Sequence, residues 1–328
     1  LRKQAFFFTW RNSMNPWSLF WRHGHSTTFG DYFKQGYAGP VADWWHSKLT
    51  TLPTGSVVLE LGCGNCSLLP AMISSGIKGK YIGVDLARVR LSAVSEQGLP
   101  ESGIEVSLHS ETPAENVPEA DASIELVASV FGIEYSDFDQ SLPEVSRLIK
   151  PGGQFCALLH HDDSVVTTMS RRAISEYHSD DLNRVIDALN SISTERDKTP
   201  SIAELGSNPR AEEGRMLINQ MAGKYLGNTD LKTANATMFD VMTDALKFFK
   251  MMGAPTQDRR QFISSLAEEH QASHERFKQM VSVAFDDSAI ESLQAKLSEL
   301  GFTEIKASVI YTKDDILAWG LSAEKMPD

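Results

Sequence analysis

Two hydrophobic periods divide this chain. Between about residues 56 and 160, short apolar runs recur near 56–61, 81–85, 104–109, 122–128 and 154–160. Runs that are continuously apolar belong to strands buried on both faces. Helical stretches near 66–76, 88–97 and 139–149 separate them, and the alternation predicts a doubly wound, parallel α/β sheet. The period then changes. Leu182, Val185, Ile186, Leu189 and Ile192 mark one amphipathic helix. Leu231, Met238, Phe239, Met242, Leu246 and Phe249 mark a second, and Phe262, Leu266, Phe277, Met280 and Val281 a third. Residues 194–210, polar and punctuated by proline, read as a mobile loop. The first pattern resumes at the end. Ile290, Leu293, Leu297 and Leu300 keep helical spacing and stop at Gly301, a natural residue just past a helix. Two strand-like runs follow, 303–311 and 316–323.

These changes delimit four segments: 1–50, 51–163, 164–287 and 288–328. The first is dense in rings: Phe6, Phe7, Phe8, Trp10, Trp17, Phe20, Trp21, Phe29, Tyr32, Phe33, Tyr37, Trp44 and Trp45, including five of the six tryptophans. It reads either as helices packing their rings on the flank of the sheet or as an aromatic cap over a ligand mouth. Inside it, Arg22-His23-Gly24-His25-Ser26-Thr27-Thr28-Phe29-Gly30 is a polar island. His23 and His25 are candidate substrate contacts, and a pair of histidines alone is a poor metal site.

Composition narrows the class. The chain has 328 residues, 41% of them hydrophobic, enough for one domain with an elaboration. A net charge of −12 without a lysine- and arginine-rich stripe argues against nucleic acid as a partner. No apolar run reaches the ~18 residues of a membrane span, so no membrane partner is expected. The basic opening Leu1-Arg2-Lys3 precedes too short an apolar run for a signal peptide, and a first residue other than Met points to a trimmed or a processed start. Three cysteines, Cys63, Cys66 and Cys156, fit a reducing, cytoplasmic setting. Cys63-x-x-Cys66 is half of a zinc set and is read as coincidental, with no metal expected.

Chemistry enters at Val57-Val58-Leu59-Glu60-Leu61-Gly62-Cys63-Gly64-Asn65-Cys66. This is a buried strand running into a glycine turn, where residues without Cβ let the backbone approach a ligand. The next strand, Tyr81-Ile82-Gly83-Val84, ends on Asp85, placed to accept hydrogen bonds from both hydroxyls of a ribose. A third glycine would favour a dinucleotide, but Cys66 stands there, and Glu60 would repel a pyrophosphate while suiting a cofactor that carries an ammonium and a sulfonium.

The Glu-x-Gly-x-Gly turn with its later acid resembles the first motif of the class I S-adenosylmethionine (SAM) methyltransferases. Residues 122–127 resemble that family's fourth strand, and Leu148-Ile149-Lys150-Pro151-Gly152-Gly153 its Pro-Gly-Gly turn into the fifth. The resemblance implies a Rossmann-like, seven-stranded, mostly parallel sheet with helices on both faces, closed by an antiparallel strand pair. It implies SAM as cofactor and S-adenosylhomocysteine as product. Glu60, Gly62 and Gly64 would line the methionine part, Asp85 the ribose and Leu86 the adenine. Ser110-Glu111-Thr112 covers the position that meets the adenine amine, with Glu111 and Thr112 carried as candidates. Ser129, Val130 and Phe131 would border the methyl group. Segment 164–287 would be a helical lid after the fifth strand, its methionine-rich face adapting to an acceptor; a passive scaffold and a homodimer interface are the alternatives.

The expected reaction is methyl transfer to oxygen or nitrogen of a small or medium-sized, partly apolar molecule. A protein side chain as acceptor, or a non-catalytic SAM-binding subunit, are the competing readings. Leu158-Leu159-His160-His161-Asp162-Asp163 places two histidines at the end of the fifth strand, where a base belongs. Successive strand residues face opposite sides, so only one enters a shared pocket. His161, oriented by Asp162, is preferred over His160. Glu134 and Tyr135, after the fourth strand, are the next candidates for holding an acceptor.

Overall fold

The computed structural model describes residues 15–228, 230 and 234–327. The expected rings of Phe6, Phe7, Phe8 and Trp10, and Leu231 of the second insertion helix, lie outside them, as does the side chain of Tyr32. The chain divides into two compact units, Leu1–Met169 with Gln279–Asp328, and Ser170–Lys278. The second is narrower than the 164–287 read from the sequence.

The first unit is built on seven strands: β1 (Ser56–Leu61), β2 (Gly79–Asp85), β3 (Ile104–Ser110), β4 (Ile124–Val130), β5 (Ile149–Leu159), β6 (Phe302–Thr312) and β7 (Asp315–Lys325). Their order is β3-β2-β1-β4-β5-β7-β6. The first five are parallel, and β7 runs antiparallel between β5 and β6. This is the Rossmann-like, mostly parallel sheet expected. One boundary differs. β5 starts at Ile149, before Pro151-Gly152-Gly153, because its pairing shifts between Ile124–Ile149 and Leu126–Gln154. Proline has no amide to donate and Gly152 takes φ +76°, so the turn is absorbed as an irregularity within the strand.

Thirteen α-helices run in chain order through both units: α1 (Pro16–Arg22), α2 (Pro40–Leu49), α3 (Leu69–Ser74), α4 (Ala93–Glu96), α5 (Leu99–Ser102), α6 (Phe138–Leu148), α7 (Val165–Glu176), α8 (Ser179–Lys198), α9 (Ile202–Leu205), α10 (Pro209–Leu226), α11 (Ala236–Leu246), α12 (Thr256–Val283) and α13 (Asp287–Glu299) among the described residues. Strand side chains alternate between two cores. Leu59, Leu61, Phe155 and Leu159 join Leu142 and Val145 of α6 and Leu293 and Leu297 of α13 on one face. Val58, Leu126, Cys156 and Leu158 join Val41 and Trp45 of α2 and Met72 of α3 on the other. Side chains cap the helices where polar residues precede them: Asp286 accepts the Ala289 amide at 2.8 Å, and Gly301, φ +81°, follows α13 as expected.

The helical unit has its own core, in which Leu182, Val185 and Leu189 of α8 meet Ile218 and Met221 of α10 and Met238 and Met242 of α11. Residues 194–210 are not the loop their composition suggested. Residues 194–198 finish α8, 202–205 form α9, and α10 starts at Pro209. Asn208 caps α10 by accepting the Ala211 amide at 3.0 Å, with proline in the first turn, where its missing N–H costs nothing. The methionines expected on an acceptor-facing surface are instead largely interior: Met221, Met238 and Met242 are buried in this core, while Met216 is exposed.

Candidate functional site

The carboxyl ends of β1, β2, β4 and β5 bring most of the expected residues together. The glycine turn after β1 is tight in two directions. A Cβ on Gly62, φ +66°, would lie 2.6 Å from Cα of Gly132, and one on Gly64, φ +51°, 2.4 Å from the Trp21 indole. Neither position tolerates a side chain. The turn closes through the Cys66 amide donating to the Cys63 carbonyl at 2.9 Å.

Asp85 reaches into that turn from β2. Its Oδ2 accepts the Gly64 amide at 2.8 Å and its Oδ1 the Ala87 amide at 2.7 Å. Each oxygen keeps lone-pair capacity for a hydroxyl. Beside it, Leu86 stands 64% exposed, a bare apolar surface of the kind a flat ring covers. Burial pushes the Asp85 carboxyl up to about 6.

Glu60 lies beneath the turn and is wholly buried. Ser67 Oγ donates to its Oε1 at 2.9 Å, and Tyr81 OH and the Leu68 amide donate to its Oε2 at 2.5 and 3.3 Å. Burial pushes this carboxyl up to about 7. Its bonds brace the start of α3 from within, so Tyr81 and Ser67, which the sequence reading passed over, belong to the turn's support. So does Asn65. Its Nδ2 donates to the carbonyls of Trp21 and His25, both at 2.9 Å, and its Oδ1 accepts the Arg90 amide at 3.1 Å. An asparagine inside a glycine turn was the available signal.

Beyond β4, Ser129 is structural: its Oγ donates to the Leu61 carbonyl and accepts the Ile133 amide, both at 2.8 Å. Val130 is buried in the core. Phe131, at φ +56°, packs its ring 4.9 Å from that of His160. Of the adenine-side candidates, Thr112 donates its amide to the Asp85 carbonyl at 3.0 Å, and Glu111 pairs with Arg88 in the open.

The histidines separate by strand parity. His160 continues the side of Leu158: wholly buried, its Nε2 is 3.2 Å from Tyr135 OH, and its amide donates to Glu134 Oε1 at 3.1 Å. His161 continues the side of Leu159 and stacks on Trp319, ring centroids 4.8 Å apart. Its Nδ1 accepts the Asp163 amide, while the Asp162 amide donates to Phe285. The geometry thus sets His160, and not the expected His161 with Asp162, beside Glu134 and Tyr135. Glu134, Tyr135 and His160 form the cluster, and His161 lies across the sheet from it. Burial pushes Glu134 up to about 8 and His160 down to about 3, leaving a neutral imidazole.

Aromatic rings wall this edge. Trp17 meets Tyr135 edge-on at 5.4 Å and donates its indole N–H to Gln279 at 2.8 Å; Phe29 meets Phe131 at 4.9 Å. Farther along the chain, Trp45 packs in the core on the sheet's face. The aromatic segment therefore packs some rings on the sheet's face and others against Tyr135 and Phe131. His25 stacks on Phe20 at 4.3 Å, and His23 lies 6.1 Å from His25. Among the described residues no group of three or more histidine, cysteine, aspartate or glutamate side chains could hold a metal ion, and no helix is long and apolar enough to cross a membrane.

Comparison with known proteins agrees with this geometry. Residues 58–153 match a family model described as a methyltransferase domain. An uncharacterized methyltransferase of Schizosaccharomyces pombe is 28% identical over 142 residues, 43% of this chain; the chain spans about half of that relative's length, 53%. Two solved structures are similar at lower levels. One is a SAM-dependent methyltransferase of Thermotoga maritima, described as a possible histamine N-methyltransferase, at 13% identity, covering 94% of this chain and 99% of the other, TM-score 0.40. The other is a geranyl diphosphate methyltransferase in complex with GPP and sinefungin, at 16% identity, covering 36% and 44%, TM-score 0.28. At such scores neither bears on what this chain acts upon. Residues 58–153 are thus similar to a methyltransferase domain, and the strand order and the glycine turn with its acid agree with that similarity.

Proposed function

We propose that this protein transfers the methyl group of SAM to oxygen or nitrogen of a small or medium-sized, partly apolar acceptor. The observation that carries the reading is the Gly62–Gly64 turn, stripped of side chains and tied to Asp85 at 2.8 Å. In it, Asp85 receives the ribose hydroxyls, Leu86 flanks the adenine, and Gly62 and Gly64 admit the methionine part, with Glu60 holding the turn's shape. SAM, when bound, supplies an activated methyl on a sulfonium. The chain then has to align the acceptor and exclude water. Phe131, Tyr135, His160 and Glu134 are the residues we assign to the acceptor.

Calorimetric titration with SAM, S-adenosylhomocysteine and NAD tests the reading: binding of the first two and not of NAD supports it, and binding of NAD alone overturns it.

A further inference from the structure

Glu134 is an unusual acid for its surroundings. Its side chain is wholly inaccessible, and so is that of His160, whose Nε2 lies 4.0 Å from its Oε1. Oε1 accepts the His160 amide. Oε2 is buried without a hydrogen-bond partner, and so is Nδ1 of His160. Among the described residues neither lysine nor arginine pairs with Glu134, and the neighbouring imidazole is neutral. A buried carboxylate lacking both a cation and a full set of donors is costly, and the cost falls when a cation with N–H donors arrives. The neighbouring groups suit such a visitor: Phe131 packs on His160, Trp17 on Tyr135, and Phe29 and Tyr37 on Phe131. Aromatic faces attract cations through their ring quadrupoles. Elsewhere in the molecule, deeply placed acids have partners, as Glu60 has in Ser67 and Tyr81.

We propose that the acceptor is a primary or secondary amine, held as its ammonium against Oε2 of Glu134, a reading that rests on the methyltransferase function above. In the Nε2–H tautomer of His160, Nδ1 offers a lone pair to a second ammonium hydrogen. For transfer, the ammonium gives one proton to Glu134 and becomes a neutral amine with a free lone pair. That nitrogen forms the new N–C bond while the C–S bond breaks and its electron pair stays on sulfur. The methylated product leaves as an ammonium, and Glu134 returns its proton to solvent. A carboxyl whose proton affinity lies near neutral pH suits this exchange.

The test uses three probes of one shape: benzylamine, benzyl alcohol and benzoate, titrated into the S-adenosylhomocysteine complex. Titration with S-adenosylhomocysteine alone comes first, so that failure of cofactor binding is recognised as failure of the underlying reading. Benzylamine should bind at least about tenfold more tightly than the alcohol, the scale of one charged hydrogen bond, and benzoate not at all. Glu134→Gln, which keeps the acceptor for the His160 amide, should erase the difference between amine and alcohol and leave SAM affinity within about twofold. Glu134→Asp should keep the amine preference. Equal binding of amine and alcohol by the wild type overturns the proposal, as does binding of none of the three. A Glu134→Gln variant that loses SAM affinity and keeps the amine preference also overturns it, since the carboxylate then faces the sulfonium. If Glu134→Gln does not fold, the three-probe comparison in the wild type decides alone.

Discussion

The acids at the strand ends and those of the helical unit live under opposite rules. Glu60, Asp85 and Glu134 are pushed up by burial to about 7, 6 and 8, with hydrogen bonds but without a cation. In residues 170–278, Asp181, Asp197 and Asp244 are held below the usual carboxylate range by Lys224 and Tyr225, by Thr256 and Arg259, and by His270 and Lys247. Asp240 there runs the other way, pushed up by burial and by Asp244. The second set is paired with basic side chains, with Asp181 and Arg259 themselves buried. The first stores electrostatic cost where a ligand can relieve it, which marks functional ground. The acids therefore divide into a group raised by burial without a cation and a group held down by pairing.

The contrast is sharpest at the histidines. His160→Ala should lower turnover by on the order of a hundredfold, the scale of a lost group that aligns or exchanges a proton, with SAM affinity retained. His161→Ala should leave turnover within a fewfold and lower stability instead, by removing the stack on Trp319. Single-turnover rates beside melting curves separate the two; equal losses of turnover would erase the distinction between the faces.

Within the helical unit, Met242→Ala should destabilise by about 2–5 kcal/mol, as truncations of fully buried apolar side chains do, without weakening SAM binding. Denaturant unfolding and calorimetry check it, and a matching loss of cofactor affinity would show that the two regions do not divide their tasks. Asp85→Ala should weaken SAM by about 1–3 kcal/mol, the range for losing a charged acceptor, since it loses the ribose contact and frees the Gly64 amide. An unchanged affinity in the folded variant would remove Asp85 from the site.

A further effect lies in the pH dependence of stability, and its sign differs between the two groups. A carboxyl whose pKa is raised in the fold contributes stability that is full below its unfolded value near 4.5 and lost as pH rises, through about 7 for Glu60 and about 8 for Glu134. The paired acids contribute stability present above their unfolded values and lost as pH falls. Unfolding of the ligand-free protein should therefore show a decline between about pH 4.5 and 8 that Glu60→Gln flattens. A decline of the same size in that variant would place its cause elsewhere.

Much of this was legible in the residues. Apolar runs placed β1 to β4 to within two residues at each end, because buried parallel strands favour continuous hydrophobicity, and Gly301 marked the end of α13 because few residues but glycine adopt its φ. Residues 194–210 misled because polarity is shared by loops and exposed helix faces; the Asn208-Pro209 start signal carried more information than the composition around it. The methionines misled similarly, since an adaptable side chain fills a core as readily as it lines a pocket.

The sequence by itself determined the sheet, the glycine turn and the acid that faces it, because strand burial and positive φ impose local requirements that residue types reveal directly. Only the tertiary structure decided which histidine meets Glu134 and Tyr135. His160 and His161 are chemically identical neighbours, and the choice depends on which core each side of β5 faces, with both Leu158 and Leu159 apolar. Nor could the chain alone disclose that Glu134 is buried without a cation, because a missing partner is a property of everything packed around it.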